Sequence, residues 1–211
     1  MPVARQIGHS ASEDRLEKLI EERLKPNAPK EAIDKRIWDL FGEEWAVMFT
    51  DLSGFSRGVE EFGIVHFLQT IYESQRLLIP CIDNYDGILL KVEADSLLII
   101  FRRPERAVDC AISMQRLLSE HNKNTPEVED ILLCVGVGHG KMLRIGDHDV
   151  FGAEVNAASK LGEDMAEPWQ ILVTENVKSL LETEDRDDVS FTKYDKTPPG
   201  TSAAYDMNYR L

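Results

Sequence analysis

The sequence is poor in the features that mark several large classes of protein. It has three cysteines in 211 residues. Cys81, Cys110 and Cys134 stand inside apolar runs without CxxC spacing, which argues against a zinc or disulfide framework and for reduced core thiols. No apolar run approaches the roughly 20 residues that a bilayer span needs. Met1 to His9 lack the apolar centre of a secretory signal, so a cytoplasmic protein without membrane insertion is expected. Clustered basic residues are missing too. A formal net charge of −14 with no grouped Lys or Arg offers no face for counterion release, which argues against general nucleic-acid binding. There is no internal repeat and no low-complexity segment.

What is present is a globular composition, 43% hydrophobic and 29% charged, enough for one domain of ordinary size plus an appendage. If so acidic a chain handles a polyphosphate, it must neutralise it locally, through a divalent metal or a few placed lysines.

Ser12 is a plausible N-cap for a first helix carrying Leu16, Leu19, Ile20 and Leu24, which stops at Pro26. A second short helix carries Ile33, Ile37, Leu40 and Phe41 and ends at Gly42. Both are too short to stand alone, so residues 1–43 read as a helical extension that packs on the main domain or on a second copy. Residues 44–211 read as that domain.

Within it, Trp45 to Phe49 is β-prone, and Asp51 falls where such a strand would end. Val65, Leu68, Tyr72, Ile79 and Ile82 keep a helical period, with Pro80 a candidate kink or early end. Ile88 to Lys91 and Leu97 to Phe101 form a hairpin turning near Ala94-Asp95. A helix opens at Pro104 and closes around His121-Asn122. Strands are expected over Ile131 to Val137, possible for Met142 to Ile145, and expected over Gln170 to Thr174, Val189 to Tyr194 and Ser202 to Met207. Helices are expected from Gly152 to Met165 and from Glu175 to Leu181. The pattern predicts an α/β (α+β) domain with a mixed sheet flanked by helices.

Polar residues that interrupt this framework are the candidate site. An Asp ending a buried strand needs a partner. A cation would serve, and Ser53, Gly54, Phe55 and Ser56 would offer closely spaced N–H groups to phosphate. The same turn also fits a plain helix cap. Asp95, at the hairpin tip beside the Asp51 strand, would complete an oxygen-rich site for Mg²⁺ or Mn²⁺, although hairpin-tip aspartates are common without one. Lys91 closes an apolar strand, where it either snorkels to solvent or contacts something specific. Asn156 and Lys160 share a helix face by spacing. With Asp149 they could meet a sugar and a phosphate, or simply form a solvated face.

Three stretches in order, Phe49-Thr50-Asp51-Leu52-Ser53-Gly54-Phe55, Lys91-Val92-Glu93-Ala94-Asp95 and Asp149 to Leu161, resemble the catalytic domain of class III nucleotidyl cyclases. The resemblance runs from about Glu44 to the C-terminus. It implies a mainly antiparallel, ferredoxin-like sheet. Asp51 and Asp95 then match the aspartates that hold two metal ions, Mg²⁺ or Mn²⁺, with the Leu52 carbonyl assisting and the backbone of Ser53 to Ser56 receiving the triphosphate. Lys91 and Asp149 match the pair that reads the purine, in the combination associated with adenine and hence ATP. Asn156 matches the residue that orients the ribose. In the family these groups meet across a head-to-tail dimer, so a homodimer would hold two composite sites. Two residues depart from the pattern. Lys160 stands where an arginine is usual, and an ammonium lacks the bidentate fork. Ala94 stands where glycine is usual, a strained choice if that position needs φ > 0. A cyclase of other base preference, or a cyclase-like binding or dimerisation module, remains an alternative.

Overall fold

The computed structural model describes residues 10–53, 63–183 and 186–211. Its centre is a βαββαβ unit: β1 (Gly42–Leu52), α3 (Ile64–Asn84), β2 (Ile88–Glu93), β3 (Ser96–Phe101), α4 (Pro104–Asn122) and β4 (Leu133–Ile145). The spatial order β2-β3-β1-β4, with every neighbouring pair antiparallel, is the ferredoxin-like arrangement. The sheet continues through β6 (Ile171–Thr174), parallel to β4, then β8 (Ala204–Asn208) and β7 (Ser190–Lys193), both antiparallel. β5 (Asp149–Phe151) pairs with the far end of β4. The sheet is therefore mixed, mainly antiparallel and flanked by helices.

The strands lack polar alternation because both faces of the central sheet are covered. Ala46, Met48, Leu97, Ile99 and Phe101 point into the main core under α3 and α4. Trp45, Val47, Leu98 and Ile100 point the other way, against Val155 and Ala158 of α5 (Ala153–Ser159). The approach of α5 is set by glycine. Gly136, Gly138 and Gly140 alternate along β4 and so share one face. A Cβ at Gly136 would lie 2.2 Å from the Ala158 carbonyl oxygen, and one at Gly138 would lie 2.6 Å from that of Glu154. Only bare backbone lets the helix sit this close.

Several boundaries differ from the sequence reading. The first helix, α1 (Ala11–Leu24), is capped by Ser10 and not Ser12. Ser10 accepts from the Glu13 N–H while Glu13 accepts from the Ser10 N–H, a capping box. Pro80 neither ends nor shortens α3, because Cys81 and Ile82 beyond it are buried in the main core, and their packing outweighs one lost backbone bond. The strands expected over Ile131 to Val137 and Met142 to Ile145 are one strand, β4, which starts at Leu133. The glycines between them continue the ladder to β1, where Trp45 pairs with Gly140 and Ala46 with His139. The Gly152 to Met165 helix changes winding at Lys160, from α to a π turn over Lys160–Met165. α6 (Glu175–Glu182) buries Val177 and Leu181 in the main core.

α1 and α2 (Lys30–Phe41) bury Leu19, Ile33, Ile37 and Phe41 against Ile145 and Leu143 of β4. Ion pairs of Arg23 with Asp34 and Arg36 with Glu22 tie the two together. Among the described residues no helix is long and apolar enough to cross a membrane.

Candidate active site

β1 and β3 bring the two aspartates together. Their register places Thr50 opposite Leu97, so Asp51 reaches the Ala94-Asp95 turn at the start of β3. Asp51 accepts a hydrogen bond from the Ser96 hydroxyl at 3.2 Å, and Thr50 accepts one from the Leu97 N–H. Burial, the neighbouring Asp95 charge and, more weakly, Glu163 push the Asp51 carboxyl up to about 6. Burial raises Asp95 as well. Two half-buried carboxylates facing this deficit of positive charge fit a hard dication. Leu52, at the end of β1, is buried and in register with Leu133.

The turn that carries Asp95 is strained. Ala94 has φ +52°, the left-handed region that suits glycine, and its carbonyl is held by the Gln75 side chain of α3 at 3.0 Å. The hairpin tip is therefore tied down, which keeps Asp95 beside Asp51.

Lys91 and Asp149 also meet. The Lys91 ammonium lies 2.6 Å from the Asp149 carboxylate, and Asp149 stands at the start of β5. This bond raises the Lys91 pKa, so the cation is firmly held. The pair lines a cleft of about 120 Å³ whose floor includes Phe49 and Leu98 and whose wall includes Ser96 and Glu163. A charged couple beside an apolar floor, with Glu93 and Glu163 also lining the cleft, is an arrangement suited to a planar ring with polar edges.

Asn156 is exposed on α5, and its side-chain amide donates to the Pro199 carbonyl at 2.9 Å. Lys160 opens the π turn and pairs with Asp164 at 3.5 Å. A π turn at such a position is frequent at functional sites. Of the expected phosphate-binding backbone, the Ser53 N–H is already engaged, donating to the Leu132 carbonyl at 2.8 Å. Gly54, Phe55 and Ser56 lie outside the described residues.

Sequence reasoning missed three groups here. Glu163, in the cleft wall, accepts from Ser159 one turn earlier on the helix at 2.5 Å. Pro199 reaches Asn156 across 43 residues, which no local pattern could disclose. Glu154 is buried in the first turn of α5, accepting from the His139 N–H and from Asn176 of α6. The alternating glycines of β4 were a readable sign that a helix backbone must lie against that strand.

Comparison with known proteins shows the family of this βαββαβ domain. Residues 42–200 match the family of the adenylate and guanylate cyclase catalytic domain, and the chain belongs to it. It is similar to "Serine/threonine-protein kinase pkn2" of Myxococcus xanthus, 30% identical over 131 residues, 62% of this chain and 16% of that protein. It is also similar to "Putative adenylate cyclase 3" of Rhizobium meliloti (strain 1021), 27% identical over 146 residues, 69% of this chain and 24% of that protein. The matched part is thus a small share of either relative. Among solved structures, an adenylate/guanylate cyclase/hydrolase from Silicibacter pomeroyi superposes with a TM-score of 0.67 at 24% identity, over 78% of this chain and 96% of that one. The adenylyl cyclase CyaB from P. aeruginosa superposes with 0.63 at 18% identity, over 81% and 96%. At these identities the structural matches establish the fold.

Proposed function

We propose that the chain is an adenylate cyclase, converting ATP to 3′,5′-cyclic AMP and pyrophosphate in a homodimer with composite sites. The Lys91–Asp149 pair in its cleft is the observation that carries this reading. Adenine presents an acceptor at N1 and a donor at its exocyclic amine, and an ammonium beside a carboxylate complements both. Guanine also presents an acceptor at O6 and a donor at N1, in reversed order, so the choice of adenine rests on the family pattern that Lys91 and Asp149 match.

The remaining roles follow from the chemistry of each residue. Asn156 orients the ribose. Lys160 supplies a point positive charge to the α-phosphate, with less directional hold than a guanidinium. Asp51 and Asp95, with the Leu52 carbonyl, hold Mg²⁺ or Mn²⁺, two ions per site. When bound, these ions supply charge that acidifies the 3′-hydroxyl and offsets the departing pyrophosphate. No protein nucleophile is required, so the side chains contribute through positioning and electrostatics. The aspartates of one protomer would serve a nucleotide whose base and ribose are read by the other.

The test is chromatographic detection of cyclic nucleotide after incubation with ATP, GTP, CTP and UTP in turn, each with Mg²⁺ and with Mn²⁺. Cyclic AMP from ATP alone is expected. Another cyclic product would keep the reaction and overturn the base assignment. No product at concentrations where sizing shows a dimer would favour a binding or dimerisation module.

A further inference from the structure

The connection between β7 and β8 grips the segment that carries Asn156 and Lys160 at both ends. At the far end, the Tyr194 hydroxyl donates to the carbonyl of Met165, the last residue of the π turn, at 3.0 Å. At the near end, Pro199 accepts from the Asn156 amide at 2.9 Å. Gly200 lies so close to α5 that a Cβ there would stand 2.1 Å from the Ala153 carbonyl oxygen. Its φ of +110° is a second reason for glycine. The connection is itself anchored. The Tyr194 N–H donates to the Ala204 carbonyl, and the Glu175 N–H at the start of α6 donates to that of Ala203. Pro198 is buried and adjoins Pro199, so two fixed φ angles stiffen the chain where it meets Asn156.

From this geometry we infer that residues 194–201 form a clamp that sets the side-chain orientation of Asn156, with Gly200 and Tyr194 as positioning residues for the cyclisation reaction. An asparagine amide can present either its oxygen or its N–H₂ group to a ligand. By accepting from Nδ2, the Pro199 carbonyl selects one orientation and leaves the second N–H and Oδ1 for the sugar. A ribose ring oxygen is a weak acceptor, so a flipped amide would replace attraction with repulsion between two oxygens. The clamp removes that choice before substrate arrives. The inference rests on the proposed role of Asn156 as the ribose-orienting residue.

The experiment is a double-mutant cycle with Gly200→Ala and Asn156→Ala in the full chain, read as kcat and KM separately for whichever nucleotide is turned over. Gly200→Ala pushes the connection off Ala153. It is expected to lower kcat about 10- to 100-fold, the scale of an ångström-sized displacement of a positioning group, with little change in KM. In the Asn156→Ala background the same substitution is expected to cost less than about twofold, because residues acting through one group are not additive. Fully additive losses would overturn the inference and leave the clamp a purely structural tie.

If Gly200→Ala does not fold, Tyr194→Phe deletes one hydroxyl and keeps the ring. The same non-additivity at smaller size supports the clamp, and additivity refutes it. A readout independent of turnover is proton exchange of the Asn156 side-chain amide by NMR. It is slowed in the native chain if the Pro199 bond persists and fast in the clamp variant. Equal, fast exchange in both would refute the clamp itself. A native chain that turns over no nucleotide but protects this amide would defeat the proposed activity and the positioning role, and leave only the contact.

Discussion

The Lys91 ammonium and the Asp149 carboxylate lie 2.6 Å apart, although 58 residues separate them in sequence. The contact arises because β2 and the β4–β5 hairpin project toward one cleft, and the half-buried position of both groups makes each dependent on the other. Exchange of the pair for Lys91→Glu with Asp149→Cys should lower the ratio of kcat/KM for ATP over GTP by at least roughly tenfold, since a site built on paired hydrogen bonds discriminates strongly. An unchanged ratio would show that other residues read the base.

Asp51 carries a stability consequence of definite sign. Its folded pKa of about 6 is raised above the usual carboxylate value, by burial first and Asp95 second. In the metal-free protein the protonated acid is therefore favoured by folding. The associated stability is present below the unfolded pKa, near pH 4, and is lost as pH rises through about 6. Asp51→Asn should raise the melting temperature of the metal-free protein at pH 7.5 and leave it almost unchanged near pH 3.5. Added Mn²⁺ should stabilise the native chain and not this variant. Equal stabilisation of both would remove Asp51 from the metal site.

Ala94 is held at φ +52°, where a Cβ is unfavourable. Ala94→Gly should stabilise the protein by about 1 kcal/mol, relief of strain exceeding the added freedom of the unfolded chain. That is a rise of roughly 2–4 °C in melting temperature for a chain of this size. No rise in calorimetry would mean that Gln75 and the hairpin have relaxed the strain.

Lys160 is partly occupied by Asp164 at 3.5 Å. Lys160→Arg should raise kcat, on the order of tenfold, by restoring a fork to the α-phosphate. Asp164→Asn should raise it less, by releasing the ammonium. Lower steady-state turnover in Lys160→Arg would indicate a site rebuilt around lysine.

Gly136 meets the Ala158 carbonyl and Gly162 across the sheet surface, with 2.2 Å available to a Cβ. Gly136→Ala should destabilise by about 1–3 kcal/mol through overpacking. Activity should fall more than stability predicts, because α5 carries Asn156. Denaturant midpoint and turnover together check both parts.

The sequence by itself determined most of the order of helices and strands (β5 excepted), the approach of the Asp95 turn to Asp51 and, through the family resemblance, the strain that a positive φ would bring at Ala94. These depend on local chain chemistry: a strand that ends at a carboxylate, a two-residue turn, a Cβ where none is welcome. Boundaries were less legible where packing overrides propensity. Pro80 stays inside α3 because the residues beyond it are buried, and the glycines of β4 continue a strand because β1 supplies their partners. Tertiary structure alone decided what spans long stretches of chain. The Lys91–Asp149 bond, the seating of α5 on bare glycine backbone and the reach of Pro199 to Asn156 each join segments whose separation in sequence carries no record of their distance in space. A sequence specifies hydrogen-bonding capacity and apolar period, but which donor meets which acceptor is settled when the sheet brings their strands and loops together.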